Sequence, residues 1–471
     1  MIADLKPYPA MKDSGVPWLG TVPQHWEVRR GKWLFRHKKV INADRANSNV
    51  LSLTLRGVVN NNPENPEGLV PKDYATYQLF RKGELVFKLI DLENLRTSRV
   101  GLVHEDGIMS SAYVRLVPQS VGDIRFFFQQ YFDLYQRGIY NQLGAGVRST
   151  LGPGDLLDLS VVVPPLLEQA AIVRFLDQAD RRIRRYIRAK QKLIKLLEEQ
   201  KQAIIHRAIS RGLDPNVRLK PSGVEWLGDV PEHWEVLRVK QACQILRGRF
   251  THRPRNDPSL YDGRYPFIQT GEVARAGKSI ADYRQTLNER GLAVSKMFPA
   301  GTLVMTIAAN IGNVAVLDFE ACFPDSVVGF VPRSGVERDY LYYVFRAMKP
   351  ELLREAPVNT QGNLNVDRIG SRGIALPPTP EQRGILQHIE ESTLGLNAAI
   401  GRPQREIFLL REYRTRLIAD VVTGKLDVRD AAARLPVETD EAGPTDDVDA
   451  LSDPAEGSTD DIDAIPEETV A

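Results

Sequence analysis

SGVPWLGTVPQHWEV, residues 14–28, returns as SGVEWLGDVPEHWEV at residues 222–236, with 12 of 15 positions identical. A second repeat tracks the first. VPPLLEQAAIVRFL, from residue 163, matches LPPTPEQRGILQHI, from residue 376, at an offset of 213. The offset holds without a gap to the segment ends, pairing Ile205 with Ile418, Ser210 with Thr423, Leu213 with Leu426 and Asp214 with Asp427. The chain is therefore two modules of about 210 residues, and repeats on this scale decide architecture before any single element does. Each module runs from a Trp-rich lead-in through a mixed segment to a Pro-Pro-x-x-Glu-Gln boundary and a helix.

The helix of the first module is the plainest element. From Glu168 to Arg211 there is no Gly or Pro, and Ile172, Leu176, Ala179, Ile183, Tyr186, Leu193, Leu197 and Ile204 fall mostly at alternating steps of four and three. Such spacing is a heptad seam, which must be buried against another helix. Forty-four residues at ~1.5 Å each give a rod of about 66 Å. Its repeat supplies a partner seam in Ile385, Ile389, Leu396, Ile407, Leu410, Leu417 and Val421, with a bend or break expected at Gly401 and Pro403. Connectivity predicts that the two helices run antiparallel, as a spacer between two similar domains in a pseudo-twofold arrangement. The domains themselves, residues 29–160 and 237–374, read as α+β. GELVFKLI, GTLVMTIA, VAVLDF and VVGFVP are strand-like, whereas IRFFFQQYFDLYQRG and RDYLYYVFRAMKPELLRE are helical.

Composition narrows the class. No run of roughly 18 apolar residues exists to span a bilayer, and the first residues lack the apolar core of an export signal, which predicts a cytoplasmic protein without a membrane partner. Cys243 and Cys322 lie in no metal-ligand spacing, so buried reduced thiols are expected and a metal site is not. The net charge of +2 conceals an asymmetry: residues 435–471 hold 13 of the 60 acids and no Lys or Arg. All 62 bases then face 47 acids in the remainder, about +15, a balance suited to a polyanionic partner. The acidic tail is expected to be disordered.

These features together resemble the specificity subunit of a type I restriction-modification system. The resemblance spans roughly residues 11–428 and rests on the duplicated SGVxWLGxVPxHWEV, on YPFIQTGEV at 265–273, on PPLLEQ and PPTPEQ, and on LIADVVTGKLDV closing the second helix. It implies two target recognition domains alternating with two helical regions. The expected boundaries are residues 1–165 and 214–379 for the domains, 166–213 and 380–428 for the helices, and 429–471 for the tail. The resemblance further implies that each domain reads half of a bipartite, asymmetric site in double-stranded DNA. The helices would bind two methyltransferase subunits, and two ATP-driven motor and nuclease subunits would join the complex. S-adenosylmethionine, ATP and Mg²⁺ would belong to those partners, and this chain would hold no cofactor.

DNA affinity comes largely from neutralised phosphates and specificity from base edges, which Arg, Asn and Gln read best. The first domain offers Lys88, Asn94, Arg96 and Arg99 in one loop and Arg148 and Ser149 in another. The second offers Arg247, Arg249, Arg253 and Arg255, then Asn310 and Asn313, and finally Asn359, Gln361 and Asn363. On the first helix, which carries 12 basic and 5 acidic residues, Arg181, Arg182, Arg184, Arg185 and Arg188 are placed to line unread spacer DNA or to form a solvated face. With half-sites one turn, about 10 bp, apart and each about 3–4 bp long, the unread gap should be on the order of 6 bp. Trp18, Trp26, Trp226 and Trp234 are expected to clamp each lead-in onto its domain or onto the helix ends.

Catalytic signatures are missing. RAGKS at 275–279 mimics a phosphate loop, but the required earlier glycine is Glu272. No Asn-Pro-Pro-aromatic or methyl-donor signature occurs, and Glu199-Gln200-Lys201 lies within the long helix. The expectation is a non-catalytic DNA-recognition subunit. The alternatives are a specificity subunit of a combined nuclease-methylase system and a self-sufficient nuclease or methylase.

Overall fold

The computed structural model describes residues 5–55, 57–62, 64, 71, 73–90, 92, 98–143, 151–355 and 364–436, and the structural statements below concern these. The chain divides into two compact units. One comprises Met1–Lys192 with the described residues from Gln404 onward, the other Leu193–Pro403. Each therefore holds one sheet domain, the start of one long helix and the end of the other.

In the first unit, strand β1 (Glu27–Arg30) follows the lead-in and β2 (Phe35–His37) opens the main sheet. That sheet is completed by β3 (Leu85–Phe87), β4 (Val100–Leu102) and β5 (Val114–Pro118), in the antiparallel order β2-β5-β3-β4. Alternation along the strands gives it two faces. Phe35, Leu85, Phe87, Val100 and Leu116 pack under the helix Ile124–Gln136, which contributes Phe126, Phe127 and Tyr131. The other face, with Val86, packs on Leu53, Phe80 and Met109 from two short strand pairs. Asp123 caps the helix by accepting from Arg125 N at 3.0 Å. β6 (Ser160–Val163) then returns to pair with β1.

The second unit repeats the plan. β7 (Glu235–Arg238) follows its lead-in. β8 (Cys243–Arg247), β9 (Leu303–Thr306), β10 (Val314–Leu317) and β11 (Val327–Pro332) form a sheet of order β8-β11-β9-β10, to which Ser279–Ile280 adds a parallel edge. The helix Arg338–Glu355 covers one face with Tyr340, Leu341, Val344 and Phe345. A four-stranded sheet through Tyr261–Phe267 covers the other side, and β12 (Gly373–Leu376) pairs with β7.

The duplicated motifs meet each other inside each unit. In the first, Glu168, from PPLLEQ, accepts from Trp26 Nε1 at 2.9 Å and Tyr8 OH at 3.1 Å, and its other oxygen lies 2.6 Å from His25 Nε2. Burial and the Glu168 carboxylate push the Tyr8 phenol well above its ordinary value. Gly424, at φ +76°, sits where a Cβ would come within 2.3 Å of Pro23 and 2.9 Å of Trp26. In the second unit Glu381, from PPTPEQ, lies 2.9 Å from His233, and Gly212, at φ +71°, stands against Trp234 and Pro231. Each buried Trp is thus wedged between the start of one long helix and the end of the other. The adjoining glutamines act alike: Gln169 bridges Pro164 O and Asp123 N, and Gln382 bridges Pro377 O and Glu337 N. Trp18 and Trp226 donate to Ser160 O and Gly373 O, fastening each lead-in to the returning strand.

The long helices span Leu166–Arg211 and Thr379–Val422. In the first unit Asp180 pairs with Arg414 and Lys190 with Glu406, so the two segments run in opposite directions. In the second, Ile205, Ala208 and Ile209 share a cluster with Ile385 and Ile389. Two expectations need correction. Tyr186 (56% exposed) and Leu193 (47%) lie outside the seam, and Ile204 is only half-buried; the buried Ile187 and Ile205 take two of those steps, and Ile194, half-buried, is the less exposed of its pair with Leu193. A helix of 3.6 residues per turn drifts past a strict seven-residue repeat, and the extra four-residue steps Ile183–Ile187 and Lys201–Ile205 restore the phase. Nor does the second helix break. Pro403 lies inside it, buried between Ile400 and Ile407 at seam spacing, so the ring serves as an apolar seam residue.

Candidate DNA interface

In the second unit the end of β8 is pressed against the turn before β11. Gly248 is buried where a Cβ would stand 2.0 Å from Pro324 O, and no other residue type fits such an approach. Gly248 N donates to Val327 O and Arg249 N to Phe323 O, both at 3.0 Å. The backbone is fixed while the side chains of Arg247 and Arg249 on either side are exposed. Arg253 and Arg255 have a different use. Arg255 binds Asp325 at 2.7 Å, and Arg253 donates to Phe250 O and His252 O while lying 3.7 Å from Asp325. These two arginines hold the loop in shape, leaving Arg247 and Arg249 as the cations without a side-chain partner among the described residues.

Three segments converge here. Ile307 N donates to Ser326 O and Leu364 N to Ile307 O, bringing the 307–313 loop beside Asp325 and Leu364 to the same edge. Asn310 and Asn313 lie in that loop, but Asn313 is committed at both ends: its amide nitrogen donates to Asn310 O at 3.0 Å and its oxygen accepts from Lys349 Nζ at 2.6 Å. Burial, then the neighbouring Arg346, holds the Lys349 ammonium below its ordinary range. Asn359, Gln361 and Asn363 lie outside the described residues. Lys296 stands beside the loop of Arg249. It is exposed, follows Ser295, whose Oγ donates to Arg249 O at 2.8 Å, and places its Nζ 5.3 Å from the Phe298 ring centre. No signal in the stretch VSKMF marks it; only the pairing of residues 249–251 with 294–295 does.

In the first unit the corresponding hydrogen bonds recur: Lys88 N donates to Arg99 O at 3.0 Å, and Leu151 N to Leu89 O at 3.0 Å, as Leu364 does to Ile307. Asn94, Arg96, Arg148 and Ser149 lie outside the described residues. Lys88 is half-buried. Arg99 corrects the expectation for it, because its side chain is fully buried and Nη1 donates to Ile90 O at 3.3 Å. A guanidinium enclosed in this way braces the loop and does not meet a phosphate from this position. On the first long helix, Arg184 binds Asp180 at 2.6 Å, whereas Arg181, Arg182, Arg185 and Arg188 are exposed. Among the described residues no group of three or more His, Cys, Asp or Glu is placed to hold a metal ion, and no helix is long and apolar enough to cross a membrane.

Comparison with known proteins gives a consistent result. Residues 231–400 match the family described as type I restriction modification DNA specificity domain. A putative type I restriction enzyme MjaX specificity subunit of Methanocaldococcus jannaschii is 20% identical over 438 residues, covering 87% of this chain and 96% of that protein. The MjaIX specificity subunit of the same organism is 26% identical over 128 residues, 26% of this chain and 28% of that one. A solved chain from work on complex assembly and conformational transition of the type I R-M system shares the fold. Its TM-score is 0.55 at 17% identity, covering 86% of this chain and 99% of that chain.

Proposed function

We propose that this chain, which belongs to the family of type I restriction-modification DNA specificity subunits, selects the DNA site on which its partner enzymes act and itself catalyses no step. One observation carries the reading most of the way: two sheets of the same strand order stand in one chain, each clamped by the same Trp-Glu-Gly wedge but differing in loop sequence. Equal frames with unequal loops are what two readers of different half-sites require. Arg247 and Arg249 are the strongest candidates in the second domain, since their backbone is fixed and their guanidinia are exposed. The exposed helix arginines are suited to phosphates of the unread gap.

On this proposal the paired helices form an antiparallel spacer, and their ends give two methyltransferase subunits equivalent seats. Two motor and nuclease subunits complete the assembly in the cytoplasm. S-adenosylmethionine, ATP and Mg²⁺ are used by the partners. The experiment is reconstitution. The chain mixed alone with DNA, Mg²⁺, ATP and S-adenosylmethionine should leave DNA unmodified and uncut, and adding the methyltransferase subunit should produce methylation at one bipartite sequence. Modification or cleavage by the chain alone would overturn the reading in favour of a self-sufficient enzyme.

A further inference from the structure

The first domain has its own cations at the place where the second presents Arg247. The register of the sheets identifies them. In the second domain Ile245 of β8 faces Phe330, which faces Leu303 on its other side; in the first, His37 of β2 faces Leu116, which faces Leu85. His37 and Ile245 are therefore equivalent, 208 positions apart, the spacing of the opening repeat itself. No residue has been gained or lost between the HWEV motif and the first strand of either sheet. Lys39 then stands where Arg247 stands, and Lys38 where Leu246 stands.

The chemistry around them is one-sided. From Val28 to Ala43 there is no acidic residue, and Arg29, Arg30, Lys32, Arg36, Lys38 and Lys39 all fall in this stretch and are all exposed. Arg29 is paired with Glu27, and Arg30 and Lys32 with Asp158. The side chains of Arg36, Lys38 and Lys39 have no partner among the described residues. Among the described residues β2 is the edge of its sheet, paired only with β5, and the chain turns to pair with the strand Gln78–Phe80 only from Val40 onward. Resting on the view of each sheet domain as a DNA reader, we propose that Lys38 and Lys39, with Arg36 beside them, grip the DNA backbone for the first domain at the place where the second domain presents Arg247. Phosphate is the partner chosen over a base edge, because a lysine ammonium is a compact point charge without the two-pronged geometry that reads guanine. The competing explanation is that lysines on an edge strand merely block pairing with another sheet.

The test uses the full chain with its methyltransferase partner and a random-sequence duplex of about 30 bp, long enough to offer several turns of about 10 bp. Binding is measured against KCl concentration. For K38Q/K39Q the slope of log K against log salt should become shallower by roughly one to two, since each phosphate contact contributes about 0.9. K38R/K39R should retain the parent slope, and the methylated sequence should stay the same in both variants. An unchanged slope in K38Q/K39Q, with or without aggregation, overturns the inference, as does a slope lost in K38R/K39R or a new half-sequence. If the parent complex itself binds duplex without salt dependence, the functional reading falls as well; if it binds with a steep slope that the variants share, only this inference falls.

Discussion

Glu168 and Glu381 occupy equivalent positions but carry unequal burdens. Glu168 is buried and serves Trp26, Tyr8 and His25, whereas Glu381 contacts His233, is partly exposed, and leaves the buried Trp234 Nε1 without an acceptor among the described residues. Removing an acceptor from buried donors costs about 1–3 kcal/mol for each one stranded. Glu168→Ala should therefore lower unfolding stability by about 2–4 kcal/mol, through Trp26 and Tyr8 together. Glu381→Ala should cost much less. Denaturant midpoints for the two variants check this, and equal losses would contradict it. Asp133 offers a second case. Among the described residues its Oδ1 has no hydrogen-bond partner, Oδ2 accepts from Arg137 at 3.3 Å, and burial raises the carboxyl above its ordinary value despite Arg137. The folded state then holds this proton at pH values where the unfolded chain, near pH 3.9, has released it. Its contribution to stability falls as pH rises from that point to the folded pKa, and the cost is complete above it. Asp133→Asn should flatten this part of the melting-temperature profile; an unaltered profile would contradict the assignment. At this scale the sequence showed that the Trp and Glu-Gln motifs mattered, since both were duplicated. It did not show that they met, because a contact across 142 residues leaves no local pattern.

The long helices show where periodicity informs and where it misleads. Their existence followed from the absence of breakers and from apolar spacing. Their phase did not, because Tyr186 and Ile187, Leu193 and Ile194, and Ile204 and Ile205 offer two apolar side chains at adjacent positions, and a strict heptad selects the wrong one. Pro403 does not end the helix for a related reason: the lost hydrogen bond is tolerated when burial of the ring at a seam position offsets part of a cost of about 3 kcal/mol. Two substitutions separate the registers. Ile187→Ala, at a fully buried site, should cost about 2–4 kcal/mol, and Tyr186→Ala less than about 1 kcal/mol. Thermal unfolding of both variants decides, and the reverse order would restore the strict heptad.

At the scale of the molecule, the duplication was legible in full while the recognition surface was not. The strand segments GELVFKLI, GTLVMTIA, VAVLDF and VVGFVP lie in the two main sheets, because buried strands write themselves as apolar runs. Loops obey no such code. Four arginines between positions 247 and 255 look alike in sequence, yet Arg255 is paired with Asp325 and Arg253 with loop carbonyls, while the exposed Arg247 and Arg249 have no side-chain partner among the described residues. In the proposed function the paired helices set the distance between two half-sites. The most direct measurement of that distance is the set of methylated sequences in cells whose specificity chain lacks one heptad from each long helix. Seven residues remove about 10 Å of rod, so at 3.4 Å per base pair both half-sequences should persist with the gap between them shortened by about one to three base pairs. Methylation at the original gap, or at new half-sequences, would contradict the account.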